Sequence, residues 1–479
     1  EAHRNLAQCH EAVSDLDAAR RHFMIAGKQG GSPLERLHAA ALAPLIPASA
    51  EAIAEYRANL LDVLDVFIDE PLTLDWKALK ELTGEPPSVI VYHGEDDRPI
   101  KEKYARIFRD WLPQDTPPPR SGKPHVGFVV THGHEGVFLK CLRGLVARLP
   151  AERFDVTIVC SLPNGEAILR PKIESHTVRY LPIPRRPVDA AAAIRQAGFD
   201  LLYWWEVGTD SANYFLPYLK LAPVQCTSWG WPVTSGVPAM DWFVSCEGLE
   251  PEDGDAHYTE RLVRLPHLST YYFRPPVPLA PKPRTELGFA AGEHVYFCQQ
   301  NLRKVQPDFD DLVGGILRAD PKGVVAFVGD KQPRLSALLM ERLRRRLPDV
   351  IERVRLLPRL DEPDYLSLCA AADVILDTTR YGGGANTVYD AFAAGTPIVT
   401  LPTRFHRGRY CLAAYRQIGL EGGVAADAGD FVTKAVGFAT EPDRRAAFVK
   451  ALAERSPALL EDQRAVDELA DWFGTVIGR

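Results

Sequence analysis

The sequence predicts an α/β protein in which two Rossmann-like domains face a cleft, preceded by an all-α segment. Three observations carry that expectation. From residue 123 onward, apolar strand patterns alternate with helical patterns. The alternation runs as two series divided near residue 290, and before residue 71 only helical spacing is present. Strand–helix alternation means parallel sheets covered by helices on both faces. Open sheets of this kind bind ligands beyond the carboxyl ends of their strands. With 479 residues the chain has room for about three domains of roughly 150 residues.

Residues 1–70 open the chain. Leu6, Ala7, His10, Ala19, Phe23 and Ala26 fall near the positions that a tetratricopeptide repeat fills with packing residues. Pro33 stands within a residue of where its roughly 34-residue unit closes. A single repeat cannot bury its own apolar face, so this one is expected to end a longer array. The plainer alternative is an ordinary amphipathic helix pair. Glu1 already stands in the helical pattern, so the chain is expected to be a fragment. Helical spacing continues through 50–67. Residues 71–122, richer in Pro and charge and containing Pro117-Pro118-Pro119, read as a connector.

The first domain, 123–290, begins with Val126, Phe128 and Val130 alternating as a strand. A Gly-rich turn and a helix at 137–149 follow. Further strands are expected at 154–160, 176–183 and 199–204, with a helix at 190–197. The second domain, 291–479, has strand patterns at 295–299, 324–328, 354–357, 374–376 and 397–401. Its helices are expected at 308–317, 335–347, 363–371 and 386–394. A last helix at 461–477 is expected to pack back across the first domain.

Composition narrows the function classes. With 46% hydrophobic and 25% charged residues the chain is an ordinary globular one. Its 56 basic and 63 acidic residues leave −7, which gives no sequence-wide pull toward nucleic acid or anionic membrane. The eight cysteines are scattered without a Cys-x-x-Cys pair and read as small core residues in a reducing compartment. No stretch approaches the roughly 20 apolar residues needed to cross a bilayer, and no basic-then-apolar signal opens the chain. The expected location is cytoplasmic.

Four stretches carry chemistry. The first runs Asp377-Thr378-Thr379-Arg380-Tyr381-Gly382-Gly383-Gly384-Ala385-Asn386-Thr387-Val388-Tyr389-Asp390. A strand ends at Asp377, glycines let backbone N–H groups approach a ligand, and a helix start near Asn386 offers unpaired donors. That suits a diphosphate, with Asp390 one turn in and able to accept from a ribose. A tight turn with Asn386 as cap and Asp390 favouring the helix dipole is the alternative. The second is Gln299-Gln300-Asn301-Leu302-Arg303-Lys304-Val305-Gln306-Pro307, where Lys304 either neutralises a leaving phosphate or belongs to a solvated basic loop. Asp308 and Asp310 follow it in an Asp-x-Asp spacing, which a helix's first turn explains without a metal. The third is Thr131-His132-Gly133-His134-Glu135-Gly136. It lacks a third metal ligand, and a His pointing into the cleft competes with helix capping and packing. The fourth, Pro223-Val224-Gln225-Cys226-Thr227-Ser228-Trp229-Gly230-Trp231-Pro232-Val233-Thr234-Ser235-Gly236, is a loop by composition, lining a ligand or packing its own aromatics.

Together these residues resemble the nucleocytoplasmic protein O-linked N-acetylglucosamine transferase family, with its bacterial and plant members. The fourth stretch, continued to Met240-Asp241, is similar to the family's P-I-Q-x-x-W-L-G-Y-P-G-T-S-G-x-x-x-M-D. Leu302-Arg303-Lys304-Val305-Gln306-Pro307 resembles its L-Y-K-I-D-P. Ala372-Asp373-Val374-Ile375-Leu376-Asp377-Thr378 and Asp390 with Ala394-Gly395-Thr396-Pro397-Ile398-Val399-Thr400 resemble its A-D-V-C-L-D-T and D-x4-A-G-T-P-M-V-T. The resemblance implies a GT-B type fold and inverting transfer of N-acetylglucosamine from UDP-N-acetylglucosamine to protein Ser/Thr hydroxyls, with UDP as product.

It also implies site residues. Lys304 would lie at the donor diphosphate, with Asn301 as a neighbouring amide. Gly384, Asn386 and Thr387 would bind phosphate, and Asp390 the ribose. Tyr365 would stack on uracil where the family has a His, and Leu360 would contact the base through its backbone. Gly230 and Pro232 would approach the sugar, and His134 would be the active-site His of the first sheet. The family's G-H-T-T reads Gly384-Ala385-Asn386-Thr387 here, so a phosphate-contacting His is Ala385. No metal site and no cofactor are expected. The expected partners are protein or peptide acceptors guided by the helical repeats. A sugar-nucleotide epimerase, or a non-catalytic repeat scaffold carrying a sugar-nucleotide domain, is the alternative.

Overall fold

In the computed structural model, which describes residues 2–29, 32–70, 84–108, 116–118 and 121–478, seven parallel strands build the first sheet. They are β1 (His125–Val130), β2 (Asp155–Ser161), β3 (Arg179–Ile183), β4 (Leu201–Trp204), β5 (Val224–Ser228), β6 (Trp242–Cys246) and β7 (Arg261–Leu265). Their spatial order is β3-β2-β1-β4-β5-β6-β7. β1 pairs with β4, Val126 opposite Leu201 and Val129 opposite Trp204, so the winding direction reverses between these two. Every residue of β1 is buried, as a parallel strand covered on both faces requires.

The second sheet holds β8 (His294–Cys298), β9 (Gly323–Val328), β10 (Val354–Leu357), β11 (Val374–Leu376) and β12 (Ile398–Val399), in the order β10-β9-β8-β11-β12. Its reversal lies between β8 and β11, where Tyr296 pairs with Val374. All the strand pairs are parallel, and the two sheets with their helices have the GT-B architecture.

The sequence patterns locate β1–β4 and β8–β12 within a few residues but miss β5, β6 and β7. Val224–Ser228, which composition marks as loop, is a strand; only Trp229 onward forms the loop. Gln225 breaks the apolar run while wholly buried, because all its bonds are made. Its Nε2 donates to the carbonyls of Pro217 and Ala239 at 2.8 and 3.0 Å, and its Oε1 accepts from Trp204 Nε1 and the Leu221 amide at 3.3 Å each.

The N-terminal segment forms helices Ala2–Ala12, Leu16–Lys28, Leu34–Ala41 and Ala50–Asp69. Ala7, Ala19 and Phe23 pack with Ala39 and Leu42, and Ala26 is buried beside them. Leu6 departs from the repeat pattern, 46% exposed on a face that no described element covers. His10 lies at the rim of the helix seam, stacked on His22 with ring centroids 5.5 Å apart.

Of the stretch read as connector, 71–83, 109–115, 119 and 120 lie outside the described residues, and Pro119 with them. The described part is not a bare linker. Helix Arg98–Phe108 buries Ile100, Tyr104 and Phe108 in one core with Trp204, Tyr214 and Tyr218. Its Arg, Lys and Glu content hides an amphipathic stripe.

Two further features fasten the parts together. Arg342 and Asp310 form a fully buried two-pronged ion pair at 2.8 and 2.9 Å, and Arg342 also donates to the Pro47 carbonyl at 2.9 Å. That ties the helical segment to the second sheet's helices. The last helix, Gln463–Ile477, returns to the first sheet, where Phe473 packs on Phe128, Phe154 and Tyr203. The outgoing and returning chain crossings meet where Tyr272 pairs with Leu460 and the Glu461 amide donates to the Tyr272 carbonyl at 2.9 Å.

Candidate active site

Both sheet reversals open on one cleft of about 410 Å³. The loops after β1 and β4 bring His134 and Glu206 to one side of it. The loops after β8 and β11 bring Lys304 and the glycine turn to the other. This is where open α/β sheets place ligands, since strand ends diverge at a reversal and leave a crevice.

Asp377 shapes the glycine turn. Its carboxylate accepts from the Gly383 amide at 2.7 Å and from the Thr400 hydroxyl at 2.8 Å. Gly383 is held so close to the next helix turn that a Cβ there would lie 2.2 Å from Thr387 Cβ, and Gly384 sits at φ +64°. Only glycine accepts both conditions without strain. The helix therefore starts at Gly384, two residues earlier than the sequence suggests, and has no side-chain cap. Asn386 is not the cap: its Oδ1 accepts from the Tyr272 hydroxyl at 2.9 Å. The unpaired first-turn N–H groups and their partial positive charge are left facing the cleft.

Lys304 ends the short turn Leu302–Lys304. Its Nζ donates to Gln300 Oε1 at 3.1 Å and to the Gly382 carbonyl at 3.0 Å, and lies 4.5 Å from the centre of the Tyr381 ring. Burial pulls the ammonium pKa down to about 8, partly opposed by the charge on Asp377. Asn301 is exposed and outside the cleft wall; its Oδ1 accepts from the Arg303 amide at 3.0 Å, so it holds the turn that presents Lys304.

His134 sits between two carboxylates, Nδ1 2.7 Å from Glu206 and Nε2 3.3 Å from Asp210. Burial alone would lower its pKa, but the hydrogen bonds and charges of Asp210 and Glu206 overcome that and raise it to about 10. Both ring nitrogens are thereby engaged by carboxylates, which favours the protonated ring. Asp210 stays ionised because His134, Thr131 and the Asn213 amide outweigh the cost of its burial.

Gly230, Pro232, Gly384 and Asn386 line the cleft, as does Ala385. Thr387, Tyr365, Leu360 and Asp390, four of the expected donor residues, are not among those lining it. The Thr387 hydroxyl accepts from Gln300 Nε2 at 2.7 Å. Tyr365 donates its hydroxyl to Asp390 at 3.2 Å and packs edge-on against Phe297. Leu360 packs on the core of the second domain. Burial raises the Asp390 carboxyl to about 6, against the opposing charge of Lys140. Asp308 and Asp310 are engaged by Arg380 and Arg342 at 2.8 Å each.

The sequence reading misses Glu206, Tyr92, Tyr381 and Arg407, all of which line the cleft. Glu206 follows the carboxyl end of β4 at a sheet reversal, and that position is its only signal. Arg407 is buried, with its guanidinium 3.4 Å from Asp97. A second cavity of about 490 Å³ lies between the N-terminal helices and the rim of β1–β3, lined by His38, Glu85, His132 and Asp210 among others. Asp210 is common to its wall and to the His134 pair.

No family model matches the chain. It is 26% identical over 263 residues to a protein of Solanum lycopersicum named probable UDP-N-acetylglucosamine–peptide N-acetylglucosaminyltransferase SPINDLY, covering 52% of this chain and 27% of that protein. It is 26% identical over 314 residues to the Arabidopsis thaliana protein of the same activity name, SEC, covering 63% of this chain and 31% of that one. The chain thus spans under a third of the length of the curated relatives it matches. Among solved structures it is similar to a mutant of the Thermobaculum terrenum O-GlcNAc transferase, with a TM-score of 0.72, 22% identity, and coverage of 99% of this chain and 96% of that one. These matches agree with the resemblance drawn from the motifs, and the structural one bears out the fold. No described helix is long and apolar enough to cross a membrane.

Proposed function

We propose that the chain is a glycosyltransferase that moves N-acetylglucosamine from UDP-N-acetylglucosamine to Ser/Thr hydroxyls of proteins, with inversion at the anomeric carbon. One observation carries this reading: Lys304 and an uncapped, glycine-led helix start meet on one wall of a cleft formed at two sheet reversals. An ammonium and a helix N-terminus on the same wall suit a diphosphate whose charge grows as the glycosidic bond breaks. The names of the curated relatives support the donor and the protein acceptor.

In this reading the acceptor hydroxyl attacks the anomeric carbon while UDP leaves from the opposite face. Lys304 and the first-turn N–H groups of the Gly384 helix stabilise the leaving diphosphate. Gly230 and Pro232 border the sugar. Asp390 and Tyr365 hold the nucleoside, with the Tyr365 ring on uracil, Leu360 beside the base and Thr387 near the phosphates. Asn301 acts by shaping the Lys304 turn. The larger cavity between the helical segment and the first sheet leads an acceptor peptide toward the cleft, consistent with an acceptor guided by helical repeats. No metal and no cofactor take part, and the protein works in the cytoplasm.

The test is incubation of the chain with radiolabelled UDP-N-acetylglucosamine, with and without protein acceptors. Label on protein Ser/Thr is the expected result. Label only in free sugar, or in an isomerised sugar nucleotide, would overturn the reading.

A further inference from the structure

Two imidazoles line the cleft, and their ring nitrogens are engaged differently. Both ring nitrogens of His134 are taken by carboxylates. His406 has one engaged: Nδ1 lies 2.8 Å from Glu250 Oε1 and 3.1 Å from Ser245 Oγ. Nε2 has no partner among the described residues, and the ring, though only 3% exposed, forms part of the cleft wall beside Arg407 and Tyr410. His406 belongs to the second domain, in the turn His406–Gly408. Glu250 follows β6 of the first, so the pair spans the junction between the domains.

The proton positions follow from the donors. Glu250 Oε1 accepts the hydroxyls of Ser245 and Tyr258 at 2.6 and 2.9 Å as well as the imidazole. These bonds, the one with His406 foremost, keep the Glu250 carboxyl below its ordinary range although burial works against it. Ser245 gives its own proton to Glu250, so toward His406 it only accepts. Nδ1 must then carry the hydrogen, which leaves the lone pair on Nε2. An imidazole oriented by a carboxylate, with its free nitrogen on a cleft, is the arrangement of a general base. Other charged or titratable groups nearby are Tyr258 on the first domain and Arg407, Arg409 and Tyr410 on its own segment.

We propose that His406, oriented by Glu250, is the general base of the transfer reaction, an assignment that rests on the glycosyl-transfer reading above. The acceptor oxygen bonds to the anomeric carbon, and the bond from that carbon to the diphosphate oxygen breaks with its electron pair leaving on UDP. The hydroxyl proton passes to Nε2 of His406, and Glu250 stabilises the resulting imidazolium. Glu250 is a positioning residue, acting through His406.

The experiment uses the full chain, UDP-N-acetylglucosamine and a protein acceptor, with UDP binding followed by calorimetry. His406→Ala is expected to lower kcat by ~10²–10⁴-fold, the range of general-base catalysis, with UDP affinity kept within about threefold. Added imidazole should restore part of the rate. His406→Asn keeps a donor for Glu250 and should show the same loss with the parent's melting temperature. Glu250→Gln should slow transfer less and move the acidic limb of kcat to lower pH. A His406→Ala or His406→Asn protein within about tenfold of the parent rate overturns the assignment. So does a variant that loses UDP binding in proportion to rate, or that keeps the parent's acidic limb. A parent chain that binds UDP but labels no protein overturns the transfer reading, and the base assignment falls with it.

Discussion

The ammonium of Lys304 donates to the carbonyl of Gly382 at 3.0 Å, joining the loop after β8 to the turn after β11. A positive charge is thereby fixed beside the glycine turn before any ligand arrives. An electrostatic partner that is already in place costs no reorganisation when charge develops on a leaving group.

Lys304→Met should lower kcat by ~10²–10³, with UDP affinity falling less, since part of the interaction exists only in the transition state. The melting temperature should stay close to the parent's. Because burial lowers this ammonium to about 8, it loses its proton as pH rises past that value. The parent's kcat should therefore fall on the alkaline side. A variant keeping more than about a tenth of the parent rate refutes the role.

In the proposed reading Asp390 accepts from the ribose hydroxyls and does so best as a carboxylate, and burial lifts its carboxyl to about 6. UDP affinity measured by calorimetry should weaken about tenfold as pH drops one unit below that value. Asp390→Asn should bind UDP weakly at every pH, with the dependence gone. Tyr365→Ala should cost roughly 5- to 150-fold in affinity, the equivalent of ~1–3 kcal/mol of base stacking. Unchanged affinity in Tyr365→Ala would remove the ring from the uracil site.

His134 should contribute to stability in a pH-dependent way. Its folded pKa is about 10 against an ordinary 6.5. The stabilisation is fully present below 6.5 and is lost as pH rises through the folded value. The parent's melting temperature should decline over that window more steeply than that of His134→Gln. Parallel curves for the two proteins would mean the double carboxylate bond is not made in solution.

Arg342→Leu leaves the buried carboxylate of Asp310 with only the longer contact to Arg346, 3.5 Å away. A loss of about 3–5 kcal/mol is expected on breaking one side of such a pair. The double variant Arg342→Leu/Asp310→Leu should recover part of it. Denaturant titration of the three proteins measures both values, and additive losses would show that the pair is not coupled.

Turnover should be indifferent to excess EDTA, because Lys304 and the Gly384 helix start supply the positive charge that a metal would otherwise bring. Loss of transfer in EDTA with recovery on adding Mg²⁺ or Mn²⁺ would reverse that assignment and reopen the roles of Asp308 and Asp310.

Strands that are buried on both faces betray themselves by near-continuous apolar runs, which is why β1, β2 and β8 were legible in the sequence. β5 was not, because Gln225 and Thr227 occupy core positions, and Gln225 satisfies its polar atoms through tertiary bonds that no local pattern reveals. The helix Arg98–Phe108 was hidden for a related reason: Lys101 is wholly buried inside it, where composition reads charge as solvent-facing. In the site, Lys304 and the glycine turn announced themselves by position after a strand. His406 and Glu250 lie 156 residues apart on different domains. Their pairing exists only once the two sheets face each other.

The two chain crossings, paired at Tyr272 and Leu460, amount to one pivot. Fused in this way, the outgoing and returning chains hold the lobes together at one point, in addition to the side-chain pairs between them. That point also touches the ligand-facing helix, since the Tyr272 ring stacks on Tyr389 at 4.0 Å and its hydroxyl bonds Asn386. A single residue, Tyr272, is thus shared between the hinge of the two lobes and the start of the glycine-led helix.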